Sequence, residues 1–202
     1  MAKQGREKII TTAFALFLSK GYKNTSLSDI ITATASSKGA IYHYFKNKRA
    51  IYLEALEMFF FNLYEDILID DAELSLSERL KTRYLFLLDL IDFVENTGEG
   101  IHFPIRRYFL FQLESEEDEI IRVKILDTLQ KYRLEITQII VSSFEKKEIT
   151  ITLSAPVIAQ QLIGMIEGIM IHHSTLEKNS KTFLLQKYNE VIQPYINLIT
   201  HN

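Results

Sequence analysis

The stretch TSLSDIITATASSKGAIYHYFKNK, residues 25–48, decides the fold. Thr25 and Ser26 can cap a helix start, and Asp29 stands three residues after Ser26. A carboxylate there reaches back to the cap and favours the positive helix end. Leu27, Ile30 and Ile31 give that helix an apolar face, and Ser36 and Ser37 offer a second cap. In the helix that follows, Ile41 and Phe45 pack inward, while Gly39 and Ala40 keep its first turn small enough to come close to base edges. Lys38 suits phosphate or guanine, and the hydroxyls of Tyr42 and Tyr44 suit phosphate. Two short helices around a tight turn, the second laden with such groups, have the layout of a helix-turn-helix that reads DNA, over residues 26–45. The expected DNA contacts are Thr25, Ser26, Ser36, Ser37, Lys38, Gly39, Ala40, Tyr42, His43, Tyr44 and Lys48.

Outward from this stretch, Ile10, Phe14 and Phe17 recur at helical spacing and lead to Gly21, so a helix precedes the motif and ends there. Lys46, Lys48 and Arg49 follow the motif where the next helix starts. Charge agrees with this placement. Residues 1–50 hold nine Lys or Arg against Glu7 and Asp29, a net of +7. The other residues hold 14 basic and 24 acidic side chains, a net of −10, which together give the −3 of the whole chain. The overall balance therefore hides a basic face suited to nucleic acid.

Thr25, Ser26, Ile30, Ser37, Lys38, Gly39, Ile41, Tyr42, Tyr44, Phe45 and Lys48, with the spacing G-x-[IL]-Y-x-[HY]-F-x-x-K at Gly39 to Lys48, resemble the DNA-binding domain of the TetR/AcrR family of bacterial regulators. The likeness runs from about Arg6 to Leu56 and takes in Ala13, Phe14, Phe17 and the Gly21-Tyr22 ending. There are two departures. Ala35 stands at the family's usual turn glycine, and Ser36 replaces an apolar residue. If the turn needs a left-handed backbone, alanine costs roughly 1–2 kcal/mol there.

The resemblance implies an all-α fold of about nine helices: three for DNA, over residues 1–47, and a helical ligand-binding and dimerisation domain over residues 48–202. Helical spacing predicts helices at about 47–69, 75–96, 103–113, 116–146, 155–177 and 180–200. Ser75 or Ser77 caps the second of these, Pro104 fits the first turn of the third, and Ser115 with Asp118 starts the fourth. Pro194 should kink the last. The β-like run ITITL, residues 149–153, reads as a connection.

A helix-turn-helix protein that reads a palindromic operator does so as a symmetric dimer, with half-sites roughly 34–36 Å apart. In the resembled family the last two helices of each subunit form a four-helix interface. Here the segment 155–177 is apolar on more than one face, and Gly164 and Gly168, four apart, permit close approach. The expected homodimer contacts are Val157, Gly164, Gly168, Ile171, Leu184, Val191 and Tyr195. For an effector site the aromatic residues and the polar ones in apolar settings are the pointers: Phe60, Tyr64, Phe86, Phe93, His102, Phe103, Arg106, Tyr108, Phe109, Gln161 and Glu167.

The absence of cysteine excludes disulfides and thiolate chemistry and suits a reducing cytoplasm. No metal or cofactor is expected. His172 and His173 are adjacent and diverge on a helix, and neither a phosphate-binding glycine loop nor a nucleophile elbow is present. The basic start followed by the run Ile9–Leu18 is broken by Thr11 and Thr12, so it reads as an amphipathic helix rather than a leader, and no membrane span is expected. The sequence therefore predicts a cytoplasmic, dimeric DNA-binding regulator released from its operator by a small, largely apolar or aromatic effector. The other reading is a DNA-organising or cell-division factor on the same fold without an effector.

Overall fold

A computed structural model describes residues 2–62, 73–97, 101–113 and 118–200. Helix α1 (Ala2–Lys20) ends at Gly21, whose φ of 84° needs no Cβ to avoid strain. Helices α2 (Leu27–Thr34) and α3 (Lys38–Tyr44) follow, each with a serine N-cap. Ser26 Oγ accepts from the Asp29 N–H while Asp29 accepts from the Ser26 N–H at 2.7 Å, so the reciprocal cap read from the sequence forms. Asn47 caps α4 (Lys48–Leu56), which runs on into a π-helical turn, Glu57–Phe61. Ile10, Phe14, Phe17, Ile30, Ile41, Phe45 and Ile51 form the shared core of these helices.

The rest of the described chain is helical too: α5 (Leu76–Asn96), α6 (Pro104–Leu113), α7 (Glu119–Glu145), α8 (Ala155–His172), α9 (Ser180–Lys187) and α10 (Gln193–Ile199). A π-helical turn, Tyr188–Ile192, joins α9 to α10, so 180–199 is one rod. It lies just before Pro194, which has no N–H to give and whose ring would crowd the carbonyl four residues back. The widened turn stands where a kink was expected and accommodates both. Ser75 and Glu78 form a second reciprocal cap on α5, and Asp118 caps α7. The ITITL run forms no strand; Ile149 makes a single bridge to Thr200.

Helices α7 and α8 pack together, as do α5 and α9. Two arginines inside the bundle are held by polar partners on α7. Arg79 donates to the hydroxyls of Ser142 and Ser143, both at 2.6 Å, and Arg83 to Glu135 at 3.1 Å. The Tyr84 hydroxyl donates to the Leu184 carbonyl at 2.8 Å.

Helix α1 is tied to the rest by an aromatic stack. Phe14 of α1 lies 4.1 Å, ring to ring, from Phe59 and 4.9 Å from Phe111 of α6, and Phe93 of α5 stacks on Phe59 at 5.4 Å. Polar links add to it: the Tyr52 hydroxyl donates to the Phe111 carbonyl, Arg49 pairs with Asp118, and Lys124 pairs with Glu57. By length and composition α8 is long and apolar enough to cross a membrane, as many helices in helical bundles are; here it packs along α7.

Candidate nucleic-acid interface and internal cavity

The backbone at the turn between α2 and α3 decides how α3 is presented. Ala35 sits at φ 53°, ψ 32°, the left-handed conformation, and its N–H bonds back to the Thr32 carbonyl at 3.1 Å. The Ser36 N–H reaches the Ile31 carbonyl at 3.3 Å, which closes the helix end. Alanine thus occupies the strained glycine position. The half-buried Ser36 follows, and Ser37 Oγ accepts from the Ala40 N–H at 3.1 Å.

Beyond this cap Lys38, Gly39, Ala40, Tyr42 and His43 all face solvent. A Cβ added at Gly39 would meet only Ser37 Oγ, at 4.0 Å, so the chain's own packing does not demand glycine there. Small residues at that point leave a flat surface for an external partner. Lys38 reaches over the Tyr42 ring at 5.9 Å, and Tyr44 is half-buried, its ring beside Gly5 of α1.

Some expected contacts have other work. Thr25 is a correction: its side chain is buried, and its hydroxyl donates to the carbonyls of Gly21 at 2.8 Å and Leu16 at 3.3 Å, so it faces the core and not a ligand. The Ser26 hydroxyl is engaged with Asp29. Lys48 donates to the Tyr22 carbonyl at 2.7 Å and lies 4.2 Å above the Tyr22 ring. Of the other basic residues, Arg6, Lys20 and Arg49 pair with Glu54, Asp29 and Asp118. The local +7 therefore overstates the charge available to phosphate, while Lys8, Lys38 and Lys46 are exposed.

A second site lies in the bundle. A cavity of about 80 Å³ is lined by Arg83, Phe86, Leu87 and Leu90 of α5, by Tyr108, Phe109 and Gln112 of α6, by Leu129 and Tyr132 of α7, and by Ile163, Ile166, Glu167 and Met170 of α8. Its walls are mostly apolar with a few polar groups, the lining usual for small-molecule sites. Of the residues expected here, Phe86, Tyr108, Phe109 and Glu167 meet in it. Phe60 is instead fully buried beside Phe61, and Phe93 belongs to the stack with Phe14 and Phe59. His102 and Arg106 are exposed, and Phe103 lies at φ 58° ahead of α6. Gln161 accepts from the Tyr195 hydroxyl. Tyr64 lies outside the described residues. The expected site thus contracts because these side chains are on other faces. Arg83, Leu87, Leu90, Gln112, Leu129, Tyr132 and the α8 residues Ile163, Ile166 and Met170 were missed; the three- and four-residue spacing of Ile163, Ile166, Glu167 and Met170 was the available signal, but the opposing helices were not legible.

On the neighbouring face of α8 Val157 and Ile171 are exposed, and nothing lies within 4 Å of a Cβ built at Gly164 or Gly168. Val191 is exposed and Tyr195 half-buried on the last rod. Leu184 departs from the expected interface: it is fully buried in its own subunit, because α9 turns it toward α5.

Residues 9–55 match the family described as bacterial regulatory proteins, tetR family. Among curated proteins the chain is similar to the HTH-type transcriptional repressor DhaR of Mycobacterium sp. (strain GP1), with 23% identity over 176 residues, 86% of this chain and 84% of that protein. It is also similar to IcaR of Staphylococcus aureus (strain Newman), the negative transcriptional regulator of the biofilm operon icaADBC, with 31% identity over 45% of this chain; the match spans 47% of that protein's length. Among solved structures, a transcriptional regulator from Saccharomonospora viridis in complex with choline superposes with a TM-score of 0.67 at 22% identity, covering 99% of this chain and 100% of that one.

Proposed function

We propose that this chain, whose residues 9–55 match the tetR family of bacterial regulatory proteins, is a DNA-binding transcriptional regulator of that family, a homodimeric repressor that a small molecule releases from a palindromic operator. The observation that carries this is the outer face of α3: Lys38, Gly39, Ala40, Tyr42 and His43 are exposed together beyond a serine cap, and none of them serves the core. The reading head spans residues 1–47 and the regulatory domain 48–202. The open face of α8, with Val157, Gly164, Gly168 and Ile171, supports pairing of two subunits together with Val191 and Tyr195. The cavity supports an effector, and so favours this reading over an effector-free DNA-organising role. The protein works in the cytoplasm, where its operator is.

The mechanism is differential affinity. Effector binds better to the conformation whose two heads are misplaced, and a coupling of about 1–3 kcal/mol is enough to empty the operator. Helix α4 is the lever, since it packs on α1 at one end and continues toward α5 and α6 through Phe59 and Tyr52.

Genome-wide footprinting tests the proposal by returning the bound sites; a palindrome is expected. On that operator Lys38→Ala and His43→Ala should change sequence preference. Lys48→Ala should weaken binding to every sequence, because it loosens the seat of α4 on Tyr22 and removes a cation near the backbone. Binding should fall steeply with salt, with a log–log slope of about −0.9 per phosphate neutralised. Wild-type behaviour of all three variants would overturn the placement of the interface.

A further inference from the structure

Arg6, Lys20 and Arg49 all belong to the first four helices, yet their carboxylate partners do not. Arg6 pairs with Glu54 and Lys20 with Asp29, both inside that group of helices. Arg49, in the first turn of α4, pairs instead with Asp118, the N-cap of α7. The two oxygens of Asp118 divide their work. Oδ1 accepts from the Ile121 N–H and closes the helix start, while Oδ2 accepts from Arg49 Nε. The bond from Arg49 holds the Asp118 carboxyl below the ordinary carboxylate range.

This pair is open to exchange. The Arg49 side chain is 44% exposed, and beside it lies a crevice of about 500 Å³ whose other walls include Tyr22, Lys23, Tyr52, Glu119 and Ile120. The guanidinium therefore has room to swing. It also starts from a suitable place. Lys48, its neighbour in the same turn, donates to the Tyr22 carbonyl, so the start of α4 lies against the loop that leads to the Ser26 cap of α2. The first helix of a helix-turn-helix crosses the DNA backbone. The planar fork of an arginine fits carboxylate and phosphate oxygens alike. An exposed ion pair adds little to the stability of a fold, so the weight of this one lies in the charge it diverts.

We propose that Asp118 competes with a DNA phosphate for Arg49: in this structure α7 holds the arginine, and movement of α7 away from α4 hands it to the duplex backbone. This rests on the reading of the chain as a DNA-binding regulator with an effector cavity. Helix α7 is suited to carry the message, because its Leu129 and Tyr132 line the cavity and its Glu135 holds Arg83. An effector that keeps α7 against α4 keeps Arg49 from the duplex, which acts in the direction of release without touching α3. A second pair, Glu57 with Lys124, joins α7 to the turn that continues α4, with the signs reversed. Loss of the first pair therefore does not detach α7 from α4.

The test is fluorescence anisotropy of the full-length protein with a mixed-sequence duplex of about 30 base pairs, between about 50 and 200 mM salt, because phosphate contacts do not depend on sequence. Asp118→Asn keeps the cap, since asparagine is as good an N-cap as aspartate, and puts an amide that cannot accept where Arg49 now bonds. Its log–log salt slope should be steeper than wild type by about 0.9, one phosphate more, with binding at least about threefold tighter at the low-salt end. Adding Arg49→Gln should return the slope to the wild-type value. Glu119→Gln removes a neighbouring charge that pairs with Arg122 rather than Arg49, and should leave the slope unchanged. An unchanged slope in Asp118→Asn overturns the competition. So does a steeper slope that persists in the double variant, because Asp118 then acts by its own repulsion of DNA. Weaker binding by Asp118→Asn overturns it as well, since the pair then props α4 in the reading position. If the wild-type protein binds no duplex even at the low-salt end, the DNA-binding reading itself falls.

Discussion

At Ala35 one methyl group sits where the backbone is left-handed, φ 53° and ψ 32°. Replacement by glycine removes that strain, and Ala35→Gly should stabilise the fold by about 1 kcal/mol after the larger entropy of the unfolded glycine is counted. Urea unfolding checks it: the midpoint should rise with the slope unchanged. Six residues earlier, the Ser26 hydroxyl and N–H hold the Asp29 carboxyl at about 2, with help from Lys20. Its folded pKa lies below the unfolded one, about 3.9. The stabilisation is therefore complete above the unfolded value and is lost as pH falls through the folded one, between about pH 4 and pH 2. Carbon-detected NMR titration should give a midpoint near 2 for Asp29, and Ser26→Ala should move it toward the ordinary value.

Helix boundaries were legible because their causes are local. Ser26 with Asp29 announces a helix start within four residues of sequence, and Ser75 and Pro104 mark the starts of α5 and α6; at α7 the expected cap, Ser115, lies outside the described residues, and Asp118 itself caps the helix. The division of the aromatics was not. Helical spacing says that Phe86 and Phe93 of α5 lie on apolar surfaces, but only the distant helices decide that one lines a cavity and the other stacks on Phe59. Arg79 and Arg83 were illegible for the same reason, since the serines and the glutamate that satisfy them lie more than 50 residues away, on α7. The exposed face of α3 was legible, and the list of expected contacts was overread at Thr25, where a good capping residue turns inward to serve two carbonyls. At this scale α4 is the element to perturb. Tyr52→Phe removes the hydroxyl that donates to the Phe111 carbonyl and should cost about 1 kcal/mol in stability. The informative readout is coupling: the factor by which effector weakens operator binding should shrink more than either affinity alone.

For the whole molecule, assembly and folding can be separated at α8. The space beside Gly168 is empty in the single subunit, so Gly168→Leu has room, and a leucine favours helix over glycine by roughly 0.5–1 kcal/mol. The variant should fold at least as well as wild type by circular dichroism, yet sediment as a monomer and lose operator binding. A dimeric Gly168→Leu protein would move the interface elsewhere. The two π-helical turns, Glu57–Phe61 and Tyr188–Ile192, give the chain a different kind of rule. Each is a surplus residue stored inside a helix, and each α-helical residue sets direction by about 100°. Removing one residue from Glu57–Phe61 would leave a regular helix that is perfectly able to form, but everything beyond would be turned by that angle, and Phe59 would leave its place over Phe14. The length of the chain at these turns thus works as a rotational setting, like the indexing of a gear. Single-residue deletions there should be far more harmful than substitutions of the same residues, and a compensating insertion within the same turn should restore function where one placed in α1 cannot.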